Sequence, residues 1–253
     1  MPDPVLQQVE HFNNPGITAN DAFKPVTRYF DRITRPEQII QSFPTAVQTM
    51  LDPADCGPAC IALSQDAQGQ TFDYPEEFFK EKIHAIRRPR PDEFQIKEAA
   101  QKIKSSKNPI IISGGGVFYS DAMEELSNFA IKHNIPVTQT VMGYSTMKRD
   151  HSHYAGQIGG LGGKNTNSLA KQTDLAIAVG TKLADFTTGS WANFENENFK
   201  LVSINVSRFD ANKHLAQAVV GDAKVSLDEL SLALGDWKAE DEWNKKSQIE
   251  LKA

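Results

Sequence analysis

The sequence has 253 residues, 40% of them hydrophobic, and a formal net charge of −5 at pH 7. This length and composition can bury a sizeable core in one large domain or two smaller ones. The acidic balance argues against nucleic-acid binding, which uses basic faces, and no apolar run approaches the roughly 20 residues of a membrane span.

The N-terminus, Met1-Pro2-Asp3-Pro4, has neither the basic start nor the apolar stretch of a signal peptide. The two cysteines, Cys56 and Cys60, have no second pair that would complete a zinc site. We therefore predict a cytoplasmic protein with buried, reduced thiols and no membrane contact, whose partners are small molecules or other proteins.

Residues 1–80 predict only part of an α/β domain. Residues 1–33 show little periodicity, and Thr34-Arg35-Pro36-Glu37 has the pattern of a capping box that opens a helix. Pro44 inside that helix predicts a kink or a break. The run 59–63 is predicted as a buried strand, and one helix with one strand cannot form a parallel sheet by itself. We interpret 1–80 as the C-terminal remnant of another domain.

Residues 81–92 are rich in charge and proline and predict an extended linker. The string Arg87-Arg88-Pro89-Arg90-Pro91 could instead form a phosphate-binding arginine cluster. Because basic runs are usually solvated, the linker is the favoured interpretation.

Residues 93–236 alternate between strands and amphipathic helices, which predicts a doubly wound parallel α/β sheet. A helix capped by Asp92, with Gln95 answering it, precedes the strand 109–113, and a second capping box at Asp121 and Glu124 opens a helix that ends at Asn134. Further strands are predicted at 136–141, 174–179, 200–206 and 218–220. A last helix carries Leu227, Leu230 and Leu234, and residues 237–253 are predicted as an outgoing linker helix.

Several loops follow strand ends, where doubly wound sheets bind ligands. They contain Gly114-Gly115-Gly116, the glycine-rich stretch 143–163, Gly180-Thr181 with Asp185, and Gly221-Asp222. The triple glycine is a phosphate cradle or a tight turn, since it matches neither G-x-G-x-x-G nor a Walker motif. Asp222 is a helix N-cap or a ribose ligand.

The remaining polar residues do not form a recognisable catalytic site. His151 and His153 could be two metal ligands, but no carboxylate or cysteine at a supporting spacing accompanies them. Neither Gly-x-Ser-x-Gly nor His-Glu-x-x-His occurs. We predict no catalytic residue and no metal site in this chain.

Taken together, these strings resemble the thiamine-diphosphate-dependent enzymes related to acetolactate synthase, and within them the branch that serves inositol catabolism. The resemblance covers nearly the whole chain, and its more specific parts are Asp185-Phe186-Thr187-Thr188-Gly189-Ser190 and the double-arginine linker. It rests also on Thr34 to Glu37, Cys56-Gly57-Pro58, Tyr74-Pro75, Phe78-Phe79, Gly114 to Val117, and Val179-Gly180-Thr181.

The resemblance implies a parent enzyme of three α/β domains. Residues 1–80 would end the pyrimidine-binding domain, 93–236 would be the central domain, and the domain that holds the diphosphate through Mg²⁺ would be missing. Thiamine diphosphate and Mg²⁺ would therefore belong to the full-length parent, a homodimer or homotetramer. The fragment itself is expected to be inactive.

By the same resemblance, the parent would hydrolyse a C–C bond of trihydroxycyclohexane-1,2-dione to 5-deoxy-glucuronate in myo-inositol catabolism. One alternative is a fragment of an FAD-containing carboligase like acetolactate synthase, and another is a stand-alone nucleotide-binding or oligomerisation module. FAD is the less favoured cofactor because Lys182 and Asn205 depart from the pattern of the FAD-binding relatives. A nucleotide would match Gly114, Gly115, Gly116, Thr140, Gly180, Thr181, Asp185, Asn205 and Asp222.

Overall fold

The computed structural model describes residues 13, 14 and 17–252. Residue contacts divide the chain into two units at the bond between Arg87 and Arg88, inside the range 81–92 that we predicted as linker. Predictions that concern residues 1–12 fall outside the described residues. No helix in the described part is long and apolar enough to cross a bilayer.

The first unit contains a small parallel sheet of two strands. In chain order its elements are a 3₁₀ helix Ala19–Val26, β1 Tyr29–Ile33, a 3₁₀ helix Pro36–Gln38, α1 Ile39–Leu51, β2 Ala59–Leu63, α2 Gln65–Gln68 and a 3₁₀ helix Glu76–Phe79. The pairing of β1 with β2 aligns Tyr29 with Ala59. The strand predicted at 59–63 is confirmed, but it is not buried as predicted: only Ala62 is buried, and Leu63 is exposed. The two thiols are not buried either, since Cys56 is exposed and Cys60 is half-buried.

The structure corrects the prediction that residues 1–33 are irregular, because β1 lies within them. This strand carries two adjacent charged residues, Asp31 and Arg32, so its sequence lacks an apolar alternation. Arg32 is nevertheless accommodated, since its guanidinium lies 2.6 Å from the carboxylate of Asp21. The pKa of Asp21 lies far below its ordinary value because Lys24, the Thr18 amide and Arg32 all donate to its carboxylate.

The helix α1 continues through Pro44, so the expected break does not occur. Ser42 and Ala46 are buried on either side of the proline, and the Ser42 hydroxyl lies 3.1 Å from the Tyr29 hydroxyl. Tertiary packing therefore holds the helix across the missing amide. The predicted Thr34–Glu37 capping box is also replaced: the Gln38 side-chain oxygen accepts the amide protons of Thr34 and Arg35.

The second unit contains a six-stranded sheet flanked by helices. Its elements are α3 Glu93–Lys104, β3 Pro109–Ser113, α4 Gly115–Tyr119, α5 Met123–His133, β4 Val137–Gln139, β5 Tyr154–Gln157, α6 Lys164–Gln172, β6 Leu175–Val179, α7 Asp185–Thr188, β7 Lys200–Asn205, α8 Arg208–Ala211, β8 Gln217–Val220, α9 Ala223–Leu234 and α10 Asp241–Lys252. Two 3₁₀ turns, Val141–Gly143 and Lys213–Leu215, complete it.

The strand order is β5-β4-β3-β6-β7-β8, and every pair in it is parallel. From the central strand β3, the strands β4 and β5 follow on one side. The chain then crosses to the other side of β3, where β6, β7 and β8 follow in order. This is the doubly wound order of Rossmann-type sheets. The predicted fold class is confirmed.

The strand β5 lies inside the stretch 143–163 that we predicted as a glycine-rich loop, so that prediction is wrong in part. Gly156 sits in the strand with a φ of +89°, and a side chain there would meet the Thr166 hydroxyl. The strand is short and contains a glycine, which removes the usual signal of alternating apolar residues.

The helix caps confirm some predictions and correct others. Asp92 caps α3 by accepting the Phe94 amide proton, but Gln95 accepts the amide proton of Val220 instead of closing a capping box. Asp121 caps nothing: its φ is +52°, and α5 begins after Ala122. The predicted end of α5 at Asn134 is confirmed, with the residue in the left-handed conformation.

The two faces of the sheet bury separate apolar clusters. One face is covered by α3, α5 and α9, whose predicted inner residues are all buried: Ile96, Ala99, Ala100, Ile103, Ala122, Leu126, Phe129, Leu227, Leu230 and Leu234. The other face buries Ile110, Ile112, Leu169 and Trp243. Burial on both faces explains the continuous apolar runs of β3 and β6.

The segment 237–252, predicted as an outgoing linker, packs on the second unit through α10. Trp243 is buried, and its indole N–H donates to the carbonyl of Pro109 at 2.7 Å. The Gln248 side-chain amide donates to the carbonyl of Tyr154 in β5 at 2.9 Å. This segment thus belongs to the body of the second unit.

We expect Trp243→Phe to lower the unfolding free energy of the second unit by about 1–3 kcal/mol, because the Pro109 carbonyl loses its buried partner. Urea titration followed by circular dichroism measures the change. Trp191→Phe is the matched control, since the half-buried Trp191 indole makes no hydrogen bond within the described residues. Equal losses in both variants would show that ring volume, not the hydrogen bond, is responsible.

Candidate functional site

The edge of the sheet at the carboxyl ends of β3 and β6 is the topological switch point. The chain leaves these two neighbouring strands in opposite directions, toward β4 on one side and β7 on the other. Ligands of doubly wound sheets bind in the crevice that this divergence creates. Most of the residues predicted as a nucleotide site follow these strands.

The triple glycine at the end of β3 makes close backbone contact with the loop after β6. The amides of Gly114 and Gly116 donate to the carbonyls of Val179 and Gly180, each at 2.9 Å. A methyl group on Gly114 would lie 2.4 Å from the Gly180 oxygen. Two amides that a phosphate cradle would need are therefore used inside the protein, and the glycines are required for loop-to-loop packing.

Three residues at the ends of β6 and β7 form one hydrogen-bonded junction. Gly180 adopts a φ of +60° and donates its amide proton to the carbonyl of Ile204. The Asn205 side chain donates to the carbonyl of Thr181 at 3.3 Å and accepts the amide proton of Ser207 at 2.9 Å. The Asn205 amide, only 8% exposed, thus ties the two loops together.

Thr140, after β4, has a local structural role. Its amide donates to the carbonyl of Ser113, and its hydroxyl accepts the amide proton of Gly143 at 3.0 Å. The side chain caps the 3₁₀ turn Val141–Gly143 and is buried. A ligand would have to displace that cap.

Asp185 differs from the other candidates because its side chain is exposed. It begins α7, and its carboxylate makes no hydrogen bond or ion pair within the described chain. Among the nine candidate residues, Asp185 therefore has the side chain most accessible to a ligand or to another polypeptide.

Asp222 is buried and doubly engaged. As predicted, it caps a helix: its carboxylate accepts the amide proton of Lys224 at the start of α9. The other carboxylate oxygen lies 3.2 Å from the guanidinium of Arg88, which also donates to the carbonyl of Ser120. These bonds favour the N-cap interpretation over a ribose ligand.

The arginine-rich string is anchored to the second unit. Besides the Arg88 contacts, Arg90 forms an exposed ion pair with Glu229 at 3.1 Å, and the carbonyl of Pro89 accepts the amide proton of Asp222. The alternative of a phosphate-binding arginine cluster gains no support, because two of its three arginines, Arg88 and Arg90, have carboxylate partners. Arg88 and Asp222 are separated by 134 positions in sequence, so no local pattern could have predicted the pair.

The pair His151 and His153 does not form a metal site. All four ring nitrogens have partners: His151 contacts Ser127 and the His153 amide, and His153 contacts Ser152 and Asn134. Burial lowers the pKa of both rings. No group of three metal-ligating side chains occurs among the residues that the structure describes.

The structure thus brings Gly114, Gly116, Gly180, Thr181 and Asn205 into one junction at the switch point. Asp222 belongs to a separate charged cluster, in which Lys224 also contacts Glu125 at 3.1 Å. The junction is shaped like the base of a nucleotide crevice, but its polar groups bond to one another. These residues position the loops that surround the switch point.

Comparison with known families identifies this unit. The family model described as "Thiamine pyrophosphate enzyme, central domain" matches residues 96–230, more than half of the chain. The chain belongs to the thiamine pyrophosphate enzyme family. The match covers α3 through most of α9 and includes the switch point with its glycine turn.

Within the thiamine pyrophosphate enzymes, the chain is similar to proteins named 3D-(3,5/4)-trihydroxycyclohexane-1,2-dione hydrolase. It is 48% identical over 233 residues to that of Clostridium perfringens strain 13, covering 92% of this chain and 36% of the relative. The Bacillus subtilis relative is 46% identical over 239 residues, covering 94% and 38%. The chain therefore spans little more than a third of the length of these relatives.

A solved structure with a similar fold supports the α/β architecture. The crystal structure of benzoylformate decarboxylase from Polynucleobacter necessarius aligns with a TM-score of 0.71 and 22% identity, covering 90% of this chain and 43% of that one. At this identity the likeness establishes the α/β architecture alone.

The residues at the switch point do not fit a flavin of the kind that some thiamine pyrophosphate enzymes hold. The Gly114 and Gly116 amides, the Thr140 hydroxyl, the Asn205 amide and the Asp222 carboxylate all have internal partners. Nor do the described residues provide a cluster that fits Mg²⁺.

Proposed function

We propose that this chain is part of a thiamine-diphosphate-dependent hydrolase that opens the ring of 3D-(3,5/4)-trihydroxycyclohexane-1,2-dione to 5-deoxy-glucuronate in inositol catabolism. The observation that carries the proposal is the 45–48% identity to hydrolases of that name, which extends over 90–96% of this chain. Water would complete the cleavage of one C–C bond, and the cofactor would supply the electron sink.

The proposed division of labour places the chemistry on other parts of such an enzyme. Residues 1–80 would be the end of the pyrimidine-binding domain, 81–92 a linker, 93–236 the central domain and 237–253 the connection onward. The central assignment is supported by the family match over 96–230 and by the division of contacts at Arg87 and Arg88. The proposed role of this chain is therefore to position its neighbours.

Thiamine diphosphate and Mg²⁺ are the proposed cofactors of the full-length enzyme, which would be a cytoplasmic homodimer or homotetramer. Family membership supports the thiamine cofactor. Mg²⁺ is proposed because it commonly binds phosphates through few protein ligands. We propose that this chain alone is inactive, since it spans 36–40% of the relatives' length.

A chimaera tests the proposal directly. This chain replaces the aligned 233 residues of the Clostridium perfringens hydrolase, and the purified chimaera is assayed for ring opening with thiamine diphosphate and Mg²⁺. We expect dione hydrolysis within about tenfold of the natural hydrolase, because the replaced part would position the catalytic domains without taking part in the chemistry. The isolated 253-residue chain should show neither hydrolysis nor micromolar binding of the cofactor.

The matched control is a chimaera that carries the aligned part of the benzoylformate decarboxylase, which shares the fold at 22% identity. It should fail to support dione hydrolysis. A chimaera with this chain that folds and binds thiamine diphosphate but leaves the dione intact would contradict the proposed substrate. Cofactor binding by the isolated chain would contradict the proposed division of labour.

A further inference from the structure

Residues 237–252, here named the C-terminal strap, are fastened to the end of α5 by a buried histidine. His133 is fully buried, and its Nδ1 lies 2.8 Å from the carbonyl oxygen of Trp237. Its Nε2 lies 3.0 Å from the hydroxyl of Ser231 on α9. Both ring nitrogens are therefore used, one of them directly by the strap.

These partners fix the proton on one nitrogen. A carbonyl oxygen can only accept, so Nδ1 of His133 carries the hydrogen and Nε2 accepts from Ser231. Lys132 Nζ lies 3.1 Å from the same Ser231 hydroxyl, which can accept from lysine while donating to histidine. The neutral imidazole of His133 can therefore make both of its hydrogen bonds.

Asn134 and the backbone complete the joint. The His133 carbonyl accepts the Ala239 amide proton at 2.9 Å. The Asn134 side-chain nitrogen donates to the carbonyl of Ala239 at 3.1 Å and to the carboxylate of Asp241 at 3.0 Å. Its oxygen faces Nε2 of His153 at 3.1 Å. Two consecutive residues thus hold the start of the strap, and α10 follows directly.

We propose that this joint is an acid-sensitive latch, in which protonation of His133 releases the C-terminal strap from the sheet. A protonated ring would place a cation in a buried site between the rings of Phe129 and Trp237. Releasing the strap removes the Trp237 side of that site and hydrates the charge. Local release is favoured over global unfolding because the strap contributes no strand, so β3 to β8 stay paired when it leaves.

The surrounding charges act in the same direction. Lys132 on α5 and Lys238 on the strap both face His133 and oppose a positive ring. On the Asn134 side lie Asp241, His153 and His151, with Asp150 beside His151. Burial is the main reason that the pKa of His133 is lowered, and the two lysines add to it, while the bond to the Trp237 carbonyl opposes them.

The sign and size of the effect follow from proton linkage. The pKa of His133 is lower in the closed state than in the released state, so the released state binds more protons at acidic pH. The closed state is therefore most stable above the ordinary pKa of 6.5 and becomes less stable as the pH falls below that value. If the released ring titrates near that value, the opening equilibrium rises by at most about twofold at pH 6.5 and at most about tenfold at pH 5.5.

Hydrogen exchange read by mass spectrometry tests the latch on the whole 253-residue chain. Exchange is measured at pH 7.5 and pH 5.5 and corrected for intrinsic rates. We expect protection of 237–252 to fall severalfold, by up to about tenfold, at the lower pH while protection of β3 and β6 is retained. Unchanged protection of the strap, or an equal loss in β3, overturns the proposal.

Two variants separate the latch from general acid sensitivity. His133→Asn keeps a donor near Trp237 but cannot titrate, so its strap protection should not depend on pH. Asn134→Ala removes the second fastening and should lower strap protection already at pH 7.5, leaving β3 unchanged. Persistence of the pH effect in His133→Asn would assign it to His151 or His153 and overturn the proposal. If either variant fails to fold, the comparison in the unmodified protein still tests whether acid releases the strap, and unchanged protection there overturns the proposal.

Discussion

Replacing Gly180 by alanine is expected to destabilise the second unit by about 2–5 kcal/mol. The residue has a φ of +60°, which costs an alanine about 1–2 kcal/mol. The added methyl group would also lie 2.6 Å from the Gly116 Cα atom and 2.8 Å from the Val117 nitrogen. These are backbone atoms of the glycine turn, so relief requires the two loops to separate, at about 1–3 kcal/mol more.

Urea unfolding followed by tryptophan fluorescence measures this loss, because Trp191, Trp237 and Trp243 all lie in the second unit. Gly189→Ala is the matched control for backbone strain: its φ is +59°, and the new methyl would meet a movable Asn193 side chain at 3.3 Å. Gly160→Ala controls for the substitution itself, with its nearest neighbours at 3.8 Å. If Gly180→Ala cost no more than Gly189→Ala, the loops would not be packed as described.

Replacing Asp222 by alanine is expected to destabilise the second unit by about 2–4 kcal/mol. The variant removes the N-cap of α9, which contributes about 1 kcal/mol. It also removes the carboxylate that lies 3.2 Å from Arg88, a charged hydrogen bond of about 1.5–3 kcal/mol. The same fluorescence transition measures the change.

Asp222→Asn separates the charge of Asp222 from its capping role, and Arg90→Ala serves as the control for an exposed ion pair. Asp222→Asn can keep the cap while removing the charge, so it should cost less than alanine. Arg90→Ala removes an ion pair whose arginine side chain is 69% exposed, and we expect about 0–1 kcal/mol. In a double-mutant cycle, Arg88→Ala combined with Asp222→Ala should lose less stability than the sum of the two single losses. Additive losses would show that Arg88 does not stabilise Asp222.

The central fold was predictable because its signals are local. Strands β3 and β6 are continuous apolar runs, and α3 and α9 carry apolar residues at helical spacing that the structure buries. The strands β1 and β5 could not be predicted from the sequence, for two different physical reasons. Charged residues interrupt β1, and a glycine interrupts β5, so each strand depends on neighbours that are distant in sequence.

The loops of the candidate site could be located from the sequence, but most of their contacts could not. Sequence reasoning located the loops after β3, β6, β7 and β8, which a doubly wound order brings to one edge. It could not show that Gly114 and Gly116 bond to the loop after β6, or that Arg88 contacts Asp222 from 134 positions away. Such pairings are set by tertiary structure and leave no mark in a local pattern.

The two glutamines at the outer strands have a further consequence for the behaviour of this protein in solution. Gln95 accepts the Val220 amide proton on β8, and Gln248 donates to the Tyr154 carbonyl on β5. Each side chain occupies a backbone group that another molecule's strand could otherwise pair with. Because Gln248 lies on the C-terminal strap, the proposed acid release would free the Tyr154 carbonyl on the edge strand β5 for pairing with another strand.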